Sequence, residues 1–188
     1  MATPDPFLAV ANPTWVGKLI QLNVAFPNDE ERMRLALRLA LENVRRQTGG
    51  PFGAAVFESE TGRLVAVGVN RVLRANCSVL HAEVVAIMLA EARLHSYSLR
   101  NPKHELVVSC EPCAMCSGAV LWSGVRRLVF GALREDAERL GFDEGPVFEQ
   151  TYEYLQRRGL EIVRGVCRAE ALEPLRLYKD SGGAIYNP

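Results

Sequence analysis

No stretch of this chain approaches the roughly 20 apolar residues that a membrane-spanning helix needs. Neither sign of charge is in surplus: 22 Lys+Arg stand against 22 Asp+Glu, for a formal net charge of zero. Affinity that comes mainly from neutralising phosphates needs extra Lys and Arg on one face. The balance therefore argues against a dedicated polyanion binder, while leaving room for a local basic patch. Low-complexity tracts and internal repeats are absent, and a 48% hydrophobic, 23% charged composition excludes a disordered or fibrous protein. Residues Met1 to Val10 include Asp5, Pro4 and Pro6 but no basic residue, so they lack the layout of a secretory signal. Cysteines are few and odd in number: five, with Cys110, Cys113 and Cys116 at three-residue intervals. In a reducing compartment such crowding points to metal binding or catalysis rather than to a disulfide framework. The expected location is the cytoplasm.

What is present suits one domain of 188 residues. Residues 1–26 read as a leader packed on the domain surface, with scattered apolar residues from Phe7 and Leu8 to Ile20 and a short helix around Trp15 to Leu22. Asn28 is an N-cap candidate with Glu31 three residues on, opening a strong amphipathic helix that stops at Gly49-Gly50-Pro51. A hairpin is expected from Phe52–Glu58 and Arg63–Val69, and an irregular segment from Asn70 to Leu80. A helix from about His81 to Leu94, a strand over Leu106–Ser109 and a helix opened by Pro112 and ending near Gly124 follow. Then come a strand over Arg127–Phe130, helices over Arg134–Leu140 and Val147–Arg158, a strand over Leu160–Val166, and a last helix over Ala169–Tyr178, broken at Pro174. The later alternation predicts an α/β fold, with a mixed five-stranded sheet between two helical layers. Residues 27–168 form the expected catalytic domain, and 169–188 a terminal helix and tail.

Two segments carry the chemistry: His81-Ala82-Glu83 at a helix start, and Cys110-Glu111-Pro112-Cys113-Ala114-Met115-Cys116 at a strand-to-helix junction. Together they match the H-x-E and P-C-x-x-C signature of zinc deaminases. Zinc favours thiolate and imidazole ligands in a tetrahedral shell. Cys113 and Cys116 are three apart on one helical face, and the positive helix end favours their thiolate forms. With His81 they make three protein ligands, which leaves the open fourth position of a catalytic zinc. Glu83 has the role of proton shuttle, although its spacing from His81 does not by itself place both on one helical face. The alternative is a structural Cys3His site that adds Cys110; it leaves no open position and gives Glu83 no task. A redox C-x-x-C leaves the third cysteine and the H-x-E unexplained. Cys77 and Cys167 read as buried thiols, and His95 and His104 as exposed loop residues.

On these residues the chain resembles the cytidine deaminase-like superfamily, and most closely its bacterial guanine deaminase branch. Supporting runs are Gly50-Pro51-Phe52-Gly53-Ala54, Gly68-Val69-Asn70, and the Gly141-Phe142-Asp143-Glu144 element, the last more particular to guanine deaminases. The resemblance implies one zinc per subunit on His81, Cys113 and Cys116, with Glu83 as shuttle. It implies that Asn70 hydrogen-bonds the purine, that the Ala82 N–H contacts its carbonyl region and that Phe52 packs on the base. Glu144, beside Asp143, would bind the amidine edge and help protonate the departing amine. Asp is the more usual residue at 144 in this branch, and the extra methylene of Glu bears on substrate range. The implied reaction is zinc-hydroxide attack on the ring carbon that bears the amine of guanine, giving xanthine and ammonia. The alternatives are a tRNA adenosine deaminase, or a deaminase of another small base such as cytosine, cytidine or an aminotriazine. Neutral net charge and the Gly-Phe-Asp-Glu element favour a small nucleobase over nucleic acid. The resemblance also implies a homodimer and a C-terminal lid, for which the tail offers Tyr178, Tyr186 and Asn187.

Overall fold

The computed structural model describes residues 10–186; Phe7 and Leu8 of the leader and Asn187 of the tail lie outside them. Helix α1 (Val16–Leu19) precedes α2 (Asp29–Arg45). The Asn28 side chain accepts a hydrogen bond from the Glu31 N–H at 2.9 Å, a cap that contributes about 1 kcal/mol to such a helix. The hairpin β1 (Gly53–Glu58) and β2 (Leu64–Val69) follows, then α3 (Val72–Ala75), α4 (Ala82–Leu94), β3 (His104–Cys110), α5 (Ala114–Ser123) and β4 (Arg127–Ala132). Helices α6 (Arg134–Glu138) and α7 (Glu149–Arg157), strand β5 (Glu161–Arg164) and α8 (Arg168–Asp180) complete the order.

The five strands form one mixed sheet in the order β2-β1-β3-β4-β5. β1 is antiparallel to both β2 and β3, whereas β3, β4 and β5 run parallel. Alternate residues separate the two cores. Ala55, Phe57, Val107 and Val129 pack under α2 and α8; Ala54, Val56, Leu106, Val108 and Phe130 pack under α4, α5 and α7. This is the expected three-layer arrangement, and the period-2 burial is what a sheet covered on both faces requires. At the end of the sheet remote from the chemistry, Glu105 is 1% exposed and pairs with Arg32 and Arg127, while Arg127 also grips Asp29. These ion pairs tie the start of α2 to β3 and β4.

Several local expectations change. Asn70 to Leu80 is not wholly irregular: α3 forms there and closes on Asn76 in the left-handed region (φ 49°). Pro112 does not open α5; the helix starts at Ala114 with extended Cys113 as its N-cap, because the Ala114 N–H is held by the Glu144 carbonyl at 2.9 Å. α8 continues through Pro174, since Ala171, Pro174, Leu175 and Tyr178 bury one face that outweighs the lost hydrogen bond. His104 is buried rather than exposed: β3 begins there, and Nδ1 sits 3.0 Å from the Leu99 carbonyl. Cys77 and Cys167 are half-buried, because each lies at a helix end rather than under a layer. Within 10–26, the Asn12 side chain bonds to the backbone of Val67 and Val69, and Ala25 bridges to Arg63, so this segment runs along the otherwise open β2 edge.

Candidate active site and metal centre

Strand direction builds the site. Because β1 opposes both neighbours, β2 and β3 run the same way and reach one edge of the sheet together, joined there by β4. The chain leaves β2 and, after α3, enters α4; it leaves β3 and enters α5. Both helix starts therefore open at the same edge, where ligands of open α/β sheets bind. His81 is the N-cap of α4, Cys113 the N-cap of α5, and Cys116 lies in the first turn of α5. The approach of α4 depends on Gly68: a Cβ there would meet the Ala82 carbonyl oxygen at 2.2 Å and the Ala86 nitrogen at 2.5 Å.

His81 Nδ1 lies 3.6 Å from Cys113 Sγ and 3.6 Å from Cys116 Sγ. Tetrahedral zinc, with bonds of about 2.3 Å to sulfur and about 2.0–2.1 Å to nitrogen, sets N···S edges of about 3.6 Å. The three donor atoms lie within 4.8 Å of one another, so the residues fit zinc as a three-ligand site. Cys110 is buried at the end of β3 with its Sγ 3.8 Å from the Leu133 carbonyl, outside this cluster. The fourth ligand of a structural Cys3His site is thus directed elsewhere.

The thiols share one charge: a hydrogen bond from Cys116, aided by His81, pulls Cys113 down to about 4, while Cys116 is raised by that same pairing and by burial. Zinc holds both as thiolates. Glu83 is 7% exposed, and burial together with the Cys113 charge pushes it up to about 6. Glu144 is 9% exposed and pushed up to about 8, by burial first and then by Cys113 and Glu83. Both acids feel the Cys113 thiolate, and Glu144 also feels Glu83. A dication at the cluster pulls the other way.

A cavity of about 860 Å³ opens over the cluster, lined by Phe52, His81, Glu83, Cys113, Glu144 and Tyr186 among others. Asn70 is fully buried beside β1. Its Oδ1 accepts from the Gly50 and Val72 N–H groups, while its Nδ2 has no hydrogen-bond partner among the described residues. A buried donor left open in this way is costly unless something supplies the acceptor. Ala82 is the first residue of α4, where N–H groups have no partner within the helix. Asp143 is exposed at the rim and accepts from the Gly145 N–H at 2.8 Å, shaping the turn that carries Glu144. The Tyr186 ring packs 5.2 Å from that of Phe142, which packs 5.2 Å from that of Phe52, and the Tyr186 hydroxyl is buried.

Three residues escaped the sequence reading. Asn43 donates from Nδ2 to the Gly50 and Asn70 carbonyls and so fixes the Asn70 backbone; a polar residue on the apolar stripe of α2 was the available signal. Ser109 Oγ accepts from the Gly53 N–H. Glu111, inside the cysteine motif, is buried and accepts from Arg134 N and Tyr152 Oη.

An open His-Cys-Cys zinc site with a buried carboxylate beside it, at the strand ends of this mixed sheet, defines a zinc-dependent hydrolytic deaminase. The chain belongs to the cytidine and deoxycytidylate deaminase zinc-binding family, whose pattern matches residues 27–132. Within that family it is 33% identical over 153 residues to a guanine deaminase of Bacillus subtilis, covering 81% of this chain and 95% of the relative. A tRNA-specific adenosine deaminase of Buchnera aphidicola is 31% identical over 148 residues, covering 78% and 91%. The solved structure of a guanine deaminase from Nitrosomonas europaea is 40% identical, covers 95% of this chain and all of its own, and superposes with a TM-score of 0.89. A solved structure in complex with 8-azaguanine is likewise 40% identical, covers 96% and 100%, and has a TM-score of 0.90.

Proposed function

We propose that this protein converts guanine and water to xanthine and ammonia. The observation that carries the reading is the near full-length likeness, at about 40% identity, to structures of a guanine deaminase and of a complex with a purine analogue. The likeness to tRNA deaminases covers less of the chain at lower identity. The cavity suits a planar base, with Phe52, Glu83 and Glu144 in its lining.

His81, Cys113 and Cys116 would hold the zinc, which when bound would lower the pKa of water to about 7 and so make hydroxide available at neutral pH. Glu83 takes one proton of the attacking water and passes it to the ring nitrogen, then takes the remaining proton of the added hydroxyl and passes it to the leaving amine. The bond from the ring carbon to oxygen forms first, giving a tetrahedral carbon, and the bond to the exocyclic nitrogen then breaks as the carbonyl forms and ammonia leaves. Glu144 accepts from the ring N–H and the amine of guanine; adenine offers a different donor pattern. The unpartnered Asn70 Nδ2 donates to the purine, the Ala82 N–H meets its carbonyl region, and Asp143 holds the turn that presents Glu144. Burial of Glu83 and Glu144 beside the cluster supports these roles.

We assign residues 27–168 to the catalytic domain, 1–26 to a leader packed on it, and the segment from 169 to a helix and tail that covers the cavity through Tyr186. We also place the protein in the cytoplasm as a homodimer that binds no nucleic acid. Five cysteines without a disulfide support a reducing compartment. Among the described residues no helix is long and apolar enough to cross a membrane. Exposed Met88 and Leu94 on α4, with Met115 and Trp122 on α5, support a second copy on that face.

The test is ammonia release from guanine, adenine, cytosine, cytidine and aminotriazines by zinc-loaded protein, with a tRNA substrate alongside. Guanine is expected to be the substrate turned over, and Glu83→Gln to abolish turnover with zinc retained. No turnover of guanine by the zinc-loaded protein, or full activity in Glu83→Gln, overturns the reading.

A further inference from the structure

We infer that Glu111, through Tyr152 and Arg134, is a positioning residue that clamps both ends of the loop carrying Glu144 against the zinc-binding turn. Glu111 is buried immediately before Pro112 and Cys113, and both of its carboxylate oxygens are engaged. Oε2 accepts from the Arg134 N–H at 3.0 Å, at the start of α6. Oε1 accepts from the Tyr152 hydroxyl, on α7. The connection between α6 and α7 is the one that bears Phe142, Asp143 and Glu144. A single carboxylate thus joins the helix before the loop, the helix after it, and the strand end that leads to Cys113.

The rest of the loop is tied down consistently. The Arg134 guanidinium donates to the Val147 carbonyl, and the Ala114 N–H to the Glu144 carbonyl at 2.9 Å. Tyr152 is 2% exposed, and the Arg164 guanidinium lies 4.3 Å above its ring, which fixes the direction of its hydroxyl. Glu111 borders the same cavity, but both of its oxygens are already engaged by Arg134 and Tyr152, so its effect on the reaction passes through the loop. An amide in place of the carboxylate keeps the Arg134 bond through its oxygen but reverses the Tyr152 bond, donating to Oη instead of accepting from it, and removes the charge that strengthens both, whereas Tyr152→Phe deletes its anchor outright.

This inference rests on the role proposed for Glu144, and the test separates the two. Glu111→Gln and Tyr152→Phe are compared with the parent enzyme, and each is repeated in a Glu144→Gln background. In the parent background kcat/KM for guanine should fall about tenfold or more for Tyr152→Phe, which deletes an anchor, and by less for Glu111→Gln, which reverses one, both within the roughly hundredfold scale of an ångström misplacement, at unchanged zinc content. In the Glu144→Gln background the same substitutions should cost less than about twofold, because residues that act as a unit are non-additive. Equal losses in both backgrounds, or no loss in the parent, overturn the clamp. Hydrogen exchange over residues 139–148 gives a readout independent of substrate. Protection there should drop in Tyr152→Phe, which keeps the buried ring, while exchange in α2 stays unchanged. Unchanged protection over 139–148 overturns the inference even if guanine proves not to be the substrate.

Discussion

Replacing Gly68 with alanine tests whether the metal centre is set by the backbone approach of α4 to β2. The new Cβ would lie 2.2 Å from the Ala82 carbonyl oxygen and 2.5 Å from the Ala86 nitrogen. Both are backbone atoms of the first turns of α4, so no side chain can swing away to make room. Opening the closer contact to 3.4 Å, the start of ordinary van der Waals distance, needs a displacement of about 1.2 Å. Val67 and Val69, the neighbours of Gly68, are fully or almost fully buried in the middle of the core, so β2 cannot yield and α4 must move. His81 caps that helix and moves with it, whereas Cys113 and Cys116 belong to α5 and stay. A zinc site fitted at 3.6 Å on both nitrogen-to-sulfur edges does not tolerate such a shift. Overpacking of this kind costs about 1–3 kcal/mol of stability, and an ångström-scale misplacement of Glu83 costs about a hundredfold in kcat/KM. The assay combines urea unfolding, zinc content and ammonia release. Gly118→Ala is the control: it lies in α5 between the metal turn and Trp122, and a Cβ there meets nothing within 4 Å. It should leave zinc content unchanged and gain about 0.5–1 kcal/mol from helix propensity. If Gly68→Ala matches that control in stability, zinc and rate, the close approach does not set the site.

Two further outcomes follow from the side-chain geometry. Cys110→Ala should keep a full complement of zinc and lose only modest stability, because Cys110 points to the Leu133 carbonyl and not to the cluster; loss of metal in this variant would make it a ligand. Asp29 has its carboxyl pKa lowered by the hydrogen bond and charge of Arg127. A depressed folded value means that the stabilisation is fully present above the unfolded carboxylate value of about 3.9 and fades as pH falls through the folded value. The gap in unfolding free energy between the parent and Asp29→Asn should therefore be widest from pH 5 to 7 and narrow below about pH 4. A gap that widens on acidification would contradict the sign.

The parts of the protein legible in the sequence are those whose physics is local or whose spacing is demanded by an ion. The Asn28 cap, the α2 stripe and the strand–helix alternation depend on neighbours within a turn or two, and they appear as expected. His81, Cys113 and Cys116 were legible because zinc restricts its donors to few residue types. What remained hidden depends on partners far along the chain. His104 follows Asn101, Pro102 and Lys103 and looks exposed, but its burial is decided by pairing with β1 and by the Leu99 carbonyl. Asn43 acquires meaning only from Asn70, and Glu111 only from Tyr152. Pro174 marks a break that local propensity demands and packing against α2 overrides.

The arrangement also explains why the chemistry gathers at one edge of the sheet. Had β1 run parallel to β3, β2 would have pointed away, and α4 would have begun at the opposite end, with His81 a sheet's length from Cys113. The antiparallel hairpin brings β2 and β3 to one edge, and parallel β4 delivers the Glu144 loop to the same place. Convergence has an electrostatic cost: two thiols and two carboxylic acids meet in a buried space around His81. Glu83, Glu144 and Cys116 are all raised, while Cys113 alone is lowered and holds the negative charge. A dication meets that demand better than any side chain available here, because it takes both thiolates and stabilises the adjacent carboxylate together. The donor set and the acids around it are therefore one electrostatic unit, so on the roles proposed for Glu83 and Glu144 the elements that fix the acids matter to the reaction as much as those that fix the metal.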